Sequence, residues 1–62
     1  MSKVAFLGAG SFGTSLGILL GNKGVTVSLW DRDENVINDI NVNRKNDKYI
    51  KDLTIPTNVT AY

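Results

Sequence analysis

The chain contains no cysteine and no histidine. The first absence excludes a disulfide framework and a thiolate metal centre. With histidine also missing, the two commonest zinc ligands are lacking, and no metal site is expected. No nucleophile has a base beside it and no pair of carboxylates is suitably spaced, so no catalytic residue is assigned. Long apolar runs are absent too: nothing approaches the ~20 residues that cross a bilayer. The opening Met1-Ser2-Lys3-Val4 runs straight into a strand pattern, without the longer apolar core and small-residue cleavage site of a secretory signal. No membrane insertion and a cytoplasmic location are the expectations. Nor is there an excess of charge of one sign. Seven bases against six acids leave a net +1, too little to argue for nucleic acid as a partner.

What is present is apolar and ordered by turns. Apolar residues make up 42% of the 62 positions, a globular composition. A chain this short buries only ~60% of its unfolded surface, and a nucleotide-binding α/β domain usually needs roughly 100 residues or more. Residues 1–62 are therefore expected to form the N-terminal part of such a domain. Charge is unevenly placed: residues 1–30 carry only Lys3 and Lys23, whereas all six acids and the other five bases follow.

The stretch that organises the chain is Gly8-Ala9-Gly10-Ser11-Phe12-Gly13, a G-x-G-x-x-G turn. Before it, Lys3 to Leu7 is a nearly continuous apolar run, suited to a strand covered on both faces. After it, Ser11 to Asn22 is helical in pattern. Phe12, Leu16, Leu19 and Leu20 fall on one face of a helix, and Gly13, Gly17 and Gly21 form a second stripe. Three interior glycines cost ~1 kcal/mol each relative to alanine, so close approach of the helix backbone to a strand or ligand must compensate. Asn22-Lys23-Gly24 reads as the helix end. Val25 to Trp30 alternates as a strand. Asp31-Arg32-Asp33-Glu34 supplies helix-capping aspartates, and Val36, Ile37 and Ile40 give the buried face of a second helix over Glu34 to Asn43. Arg44 to Asp52 reads as a fraying helix end and solvated loop, and Asn58 to Tyr62 as the start of a third strand.

Strands alternating with helices imply a parallel sheet. The fold class is thus α/β, an incomplete Rossmann (doubly wound) unit of β-α-β-α with a third strand beginning. In such a unit each glycine of the turn has its own task. Gly8 permits the tight turn, Gly10 removes the β-carbon that bars a pyrophosphate, and Gly13 lets helix and strand pack closely. Ser11 and Phe12 present backbone N–H groups to the phosphates at the positive end of the helix dipole. Asp31 lies 18 residues beyond Gly13, near the spacing of the acid that binds an adenosine ribose; capping the second helix is its other reading. Arg32 suits a 2′-phosphate or a stack on adenine. The pair leaves NAD and NADP both open as the cofactor. Trp30 is expected to pack. Lys45, Lys48 and Lys51, interrupted by Asp47 and Asp52, read as a solvated loop, and Tyr49 either packs its ring under that loop, the favoured reading, or lies near the adenine end of the cofactor.

These residues also carry a likeness. Gly8-Ala9-Gly10-Ser11-Phe12-Gly13-Thr14 and Leu29-Trp30-Asp31-Arg32-Asp33 resemble bacterial NAD(P)-dependent glycerol-3-phosphate dehydrogenase. So does a later pattern made by Asn41, Arg44, Asn46, Tyr49, Ile50, Ile55, Pro56 and Asn58. Phe12 stands where that family usually has tryptophan, Lys51 where it often has proline, and Asp31 where a small or variable residue is common. The resemblance implies a reductase that converts dihydroxyacetone phosphate to sn-glycerol 3-phosphate, a phospholipid precursor. It implies cofactor contacts at Ser11, Phe12, Arg32 and Tyr49, and a helical domain, bearing the catalytic lysines and the phosphorylated substrate, outside residues 1–62. The 62 residues alone are then expected to be inactive. Two alternatives stay open: another NAD(P)-dependent reductase of similar layout, such as a pyrroline-carboxylate or ketopantoate reductase, and a non-catalytic dinucleotide-binding module. The pattern from Asn41 to Asn58 argues against the first.

Overall fold

The computed structural model describes residues 3–62. Strand β1 (Lys3–Leu7) leads through the glycine turn into helix α1 (Ser11–Asn22), followed by β2 (Thr26–Trp30), a short helix α2 (Glu34–Asn38) and β3 (Val59–Ala61). Helix α2 continues without a break into a widened π-helical turn over Asp39–Asn43, so the helical expectation for Glu34 to Asn43 is met in extent. The three strands form one parallel sheet in the order β1-β2-β3, one half of the doubly wound arrangement.

Register places Val4 beside Val27, Phe6 beside Leu29, Val27 beside Val59 and Leu29 beside Ala61. Partners in a parallel ladder share a face, so these residues form one apolar surface. Helical residues Val36 and Ile40, together with Ile55 and Ala9, join Val27, Leu29, Val59 and Ala61 in a single core. The alternation of the second strand and the apolar face of the second helix are therefore as expected, with Ile37 packed at the edge.

Helix α1 sets its glycine stripe against the sheet, with Thr14, Gly17 and Gly21 buried, the close approach that its interior glycines call for. Of its apolar face, Leu20 packs at the edge of the core and Leu16 is half-buried, whereas Phe12 is 77% exposed and Leu19 52% exposed. A β-carbon at Gly17 would stand 3.4 Å from Val27 Cγ1, and one at Gly21 only 2.8 Å from Val59 Cγ2. Without side chains along that stripe, the helix backbone lies directly on β2 and β3, and contact with the sheet offsets the glycine cost. An expectation is corrected at β1, which is covered on one face only. Val4 and Phe6 are half-buried, whereas Ala5 is exposed and Leu7 is 93% exposed. Trp30 and Tyr62 are exposed as well, so the expected packing of Trp30 is not made within these residues.

The loop from Arg44 to Asn58 is polar but far from loose. Arg44 adopts a left-handed conformation (φ 57°) that ends the π turn. Its guanidinium donates to the carbonyls of Ile55, Pro56 and Val59, while its own carbonyl accepts from Ile55 N–H at 2.7 Å. The Asn41 amide bonds both main-chain groups of Ala61 at 2.8 Å. Asn58 Nδ2 donates to the carbonyls of Gly21 (2.9 Å) and Val25 (2.7 Å). The fraying end expected at Arg44 is thus a hydrogen-bonded anchor.

Candidate functional site

The carboxyl end of β1, the amino end of α1 and the carboxyl end of β2 meet at one rim of the sheet, where ligands of open α/β sheets bind. Gly8 has φ +130°, a value only glycine adopts readily, and it turns the chain sharply off β1. Gly13 is demanded by packing: a β-carbon there would sit 2.6 Å from the Gly8 carbonyl oxygen. Gly10 differs from both. It occupies the N-cap of α1 in extended conformation, with φ −72°, and nothing lies within 4 Å of the position its β-carbon would take. The space beside it is open toward solvent.

Helix α1 begins without a side-chain cap and without an acid in its first turn. Its first internal bond is Thr14 N–H to the Gly10 carbonyl at 2.9 Å. The N–H groups of the first turn are orphans by helix geometry, and here they face the opening beside Gly10. An anionic group at this end gains the partial positive charge of the helix and main-chain donors together. Ser11 and Phe12, both exposed, frame it. The residues present therefore suit a pyrophosphate: no side chain caps the first-turn donors, no acid stands in that turn, and no β-carbon blocks the approach at Gly10.

At the end of β2, Asp31 is half-buried and turned inward. Its Oδ2 accepts from the Ala9 N–H at 3.1 Å and its Oδ1 from the Asp33 N–H at 2.8 Å. The cap of α2 is Asp33, whose carboxylate accepts from Asn35 N–H at 2.9 Å; the capping alternative for Asp31 thus falls to its neighbour. Lys48 Nζ lies 2.9 Å from the same carboxylate. This hydrogen-bonded cation holds the Asp33 carboxyl below its ordinary range, and Asp33 in turn raises the Lys48 ammonium. Lys48 also sits 5.4 Å from the centroid of the Tyr49 ring, which is 41% exposed. Arg32 is exposed, its charge turned to solvent beside the rim. The structure thus gathers Gly8, Gly10, Ser11, Phe12 and Gly13 at one turn, with Asp31 bonded to it. Arg32 and Tyr49 lie on the adjoining segments.

Thr14 and Asn46 carry no role in the sequence reading, beyond their places in the family-like stretches. Both are buried to 1% exposure. Asn46 Nδ2 donates to the Ala9 carbonyl and to Thr14 Oγ1, each at 2.8 Å, and the Thr14 hydroxyl donates to the same carbonyl at 3.1 Å. The family-like pattern is the one sequence signal for Asn46: an asparagine in a charged loop gives no periodic cue, and its partner lies 37 residues away.

Comparison with known proteins agrees with this architecture. The chain is 61% identical over all 62 residues to a glycerol-3-phosphate dehydrogenase [NAD(P)+] of Clostridium botulinum, of which it spans 19%. It is 48% identical over 59 residues to the protein of that name from Ehrlichia ruminantium, covering 18% of it. A crystal structure of glycerol-3-phosphate dehydrogenase from Coxiella burnetii superposes with a TM-score of 0.89 at 33% identity, over 98% of this chain and 19% of that one. The chain thus spans about a fifth of the length of the relatives it matches. The family model described as NAD-dependent glycerol-3-phosphate dehydrogenase N-terminus matches residues 3–62, and the chain belongs to that family.

Proposed function

We propose that residues 1–62 form the cofactor-binding start of an NAD(P)-dependent glycerol-3-phosphate dehydrogenase that reduces dihydroxyacetone phosphate to sn-glycerol 3-phosphate in the cytoplasm. The observation that carries the reading is the uncapped amino end of α1 beside the open space at Gly10. It joins a cradle for a pyrophosphate to a segment matched throughout by that family. The cofactor, when bound, supplies the hydride. The residues described here bind and orient it: main-chain donors at Ser11 and Phe12 take the pyrophosphate, and Gly8, Gly10 and Gly13 shape the approach. Arg32 takes the adenosine end, with Tyr49 beside it. Proton transfer and substrate binding belong to a helical domain outside these residues, so residues 1–62 alone are expected to be inactive.

The test is a spectrophotometric assay of the full natural polypeptide. Oxidation of NADPH or NADH is expected only when dihydroxyacetone phosphate is added. Turnover with pyrroline-5-carboxylate or ketopantoate in its place would transfer the reading to another reductase. Binding of dinucleotide without turnover of any of the three would leave a binding module.

A further inference from the structure

Ala9 is fully buried between Gly8 and Gly10 in the turn beside the proposed pyrophosphate, and both its main-chain polar groups are bonded to side chains. Its N–H is held by Asp31 Oδ2 (3.1 Å), its carbonyl by Asn46 Nδ2 (2.8 Å) and the Thr14 hydroxyl (3.1 Å). Asp31 is itself fixed, because its second oxygen accepts from Asp33 N–H. Asn46 is fixed by Thr14 Oγ1. We infer that Asp31 and Asn46 are positioning residues that clamp the phosphate turn into its binding shape from opposite sides, and that Asp31 serves the turn instead of selecting between NAD and NADP. This rests on the dinucleotide reading above.

Two lines of chemistry support the clamp. A turn with glycine on either side of one residue is conformationally soft. Ordering it at the moment of binding would draw on the binding free energy, whereas ordering it in advance does not. Second, the amide of Asn46 is kept at a cost. Its Oδ1 is buried with no partner among the described residues, a penalty an apolar side chain would avoid. Only its NH₂ end is used, and both of those bonds go to the turn and to the threonine that supports it. A ribose-reading acid, by contrast, is recognised by what it does to the 2′ position: it bonds the hydroxyl of NADH and repels the phosphate of NADPH.

The test titrates the full natural polypeptide calorimetrically with NADH and NADPH separately, for the parent and for the single variants Asp31→Asn and Asn46→Ala. Asn46→Ala removes a bond to the Ala9 carbonyl, and Asp31→Asn, with one acceptor oxygen in place of two, can no longer hold Ala9 N–H and Asp33 N–H together. Each is expected to weaken both cofactors by the same factor, about three- to tenfold for such a bond. Asp31→Asn should also speed amide hydrogen exchange at Ala9 while Val27 and Leu29 in β2 keep their protection, a local change that mere loss of global stability does not produce. Weaker NADH with tighter NADPH in Asp31→Asn would make Asp31 a ribose reader and overturn the clamp. Unchanged affinities, or variants that fail to fold where the parent folds, would assign both side chains to stability alone and also overturn it. A parent that binds neither dinucleotide removes the cofactor reading itself, a result distinguishable from all of these.

Discussion

The two glycines at positions 10 and 13 look alike in the sequence and differ in physical duty. At Gly13 a β-carbon meets a main-chain oxygen at 2.6 Å, which no rotamer change relieves. Gly13→Ala is therefore expected to destabilise the fold by about 1–3 kcal/mol through overpacking, against the ~1 kcal/mol that alanine adds to helix propensity. At Gly10 the backbone is one any residue adopts and the space is open. Gly10→Ala should leave the melting temperature unchanged or slightly raised while weakening NADPH binding, because its methyl group stands where the pyrophosphate approaches. Thermal denaturation and NADPH titration of both variants check this pair. Equal loss of stability in the two would refute the division of labour. That division was legible from the motif, since spacing alone distinguishes the glycines. The roles of Asn46 and Thr14 were not, because an amide aimed at a main-chain carbonyl leaves no periodic trace and needs the loop to fold back over the turn.

At the scale of elements, strand alternation and the apolar positions Val36 and Ile40 were readable because burial there follows side-chain periodicity. Helix α1 is read from another cue: three interior glycines call for close approach of its backbone. The sheet does take that face, since bare backbone approaches more closely than leucine, while Leu20 alone of Phe12, Leu16, Leu19 and Leu20 packs against the core. The loop after α2 was read as solvated; its lysines are exposed, but Lys48 straps it to the helix by pairing with the cap residue Asp33. Asp33 titrates below its ordinary value, with the Lys48 hydrogen bond the largest cause, followed by the Asn35 N–H. A lowered carboxylate stabilises the fold above the unfolded value of about 3.9 and loses that contribution as pH falls through the folded value. Lys48 is raised by the same contact, so its share is present below about 10.4 and disappears as pH rises through the raised value. The strap is thus intact between these limits. An NMR titration should find the Asp33 carboxyl below the usual aspartate range in the parent and closer to it in Lys48→Gln. Identical titration in the two would show that Lys48 does not hold the loop to α2. Salt should reduce the difference, since both groups meet solvent.

For the molecule as a whole, the two faces of the sheet have unequal fates. One carries α1, α2 and the entire core. The other presents Ala5, Leu7 and Trp30 to solvent, with Tyr62 exposed beyond the end of β3. The expectation that β1 is covered twice came from its unbroken apolar run, which is the composition of a strand between two layers. Within residues 3–62 only one layer is made. The radius of gyration is nonetheless 9.9 Å, slightly below the roughly 10.6 Å that compact domains of this length follow, so the open face does not arise from loose packing elsewhere. On that outer face Lys3, Thr26, Ser28 and Thr60 are polar, but Leu7 beside Trp30 makes an exposed apolar patch next to an edge strand, and such a patch is a self-association surface in water. Residues 1–62 prepared alone are therefore expected to sediment as a concentration-dependent mixture of monomer and larger species and to bind a hydrophobic dye. Leu7→Lys should shift that mixture toward monomer. It should change unfolding free energy by no more than about 0.5 kcal/mol, as for a surface substitution, because a leucine that is 93% exposed contributes almost no burial to the folded state. A fall in stability of the size that follows truncation of a core leucine, about 2–5 kcal/mol, would mean that Leu7 is covered within this chain and that the two-faced description of the sheet is wrong. An unchanged sedimentation profile would place the contact on another surface, the exposed Phe12 and Leu19 of α1 being the next to substitute.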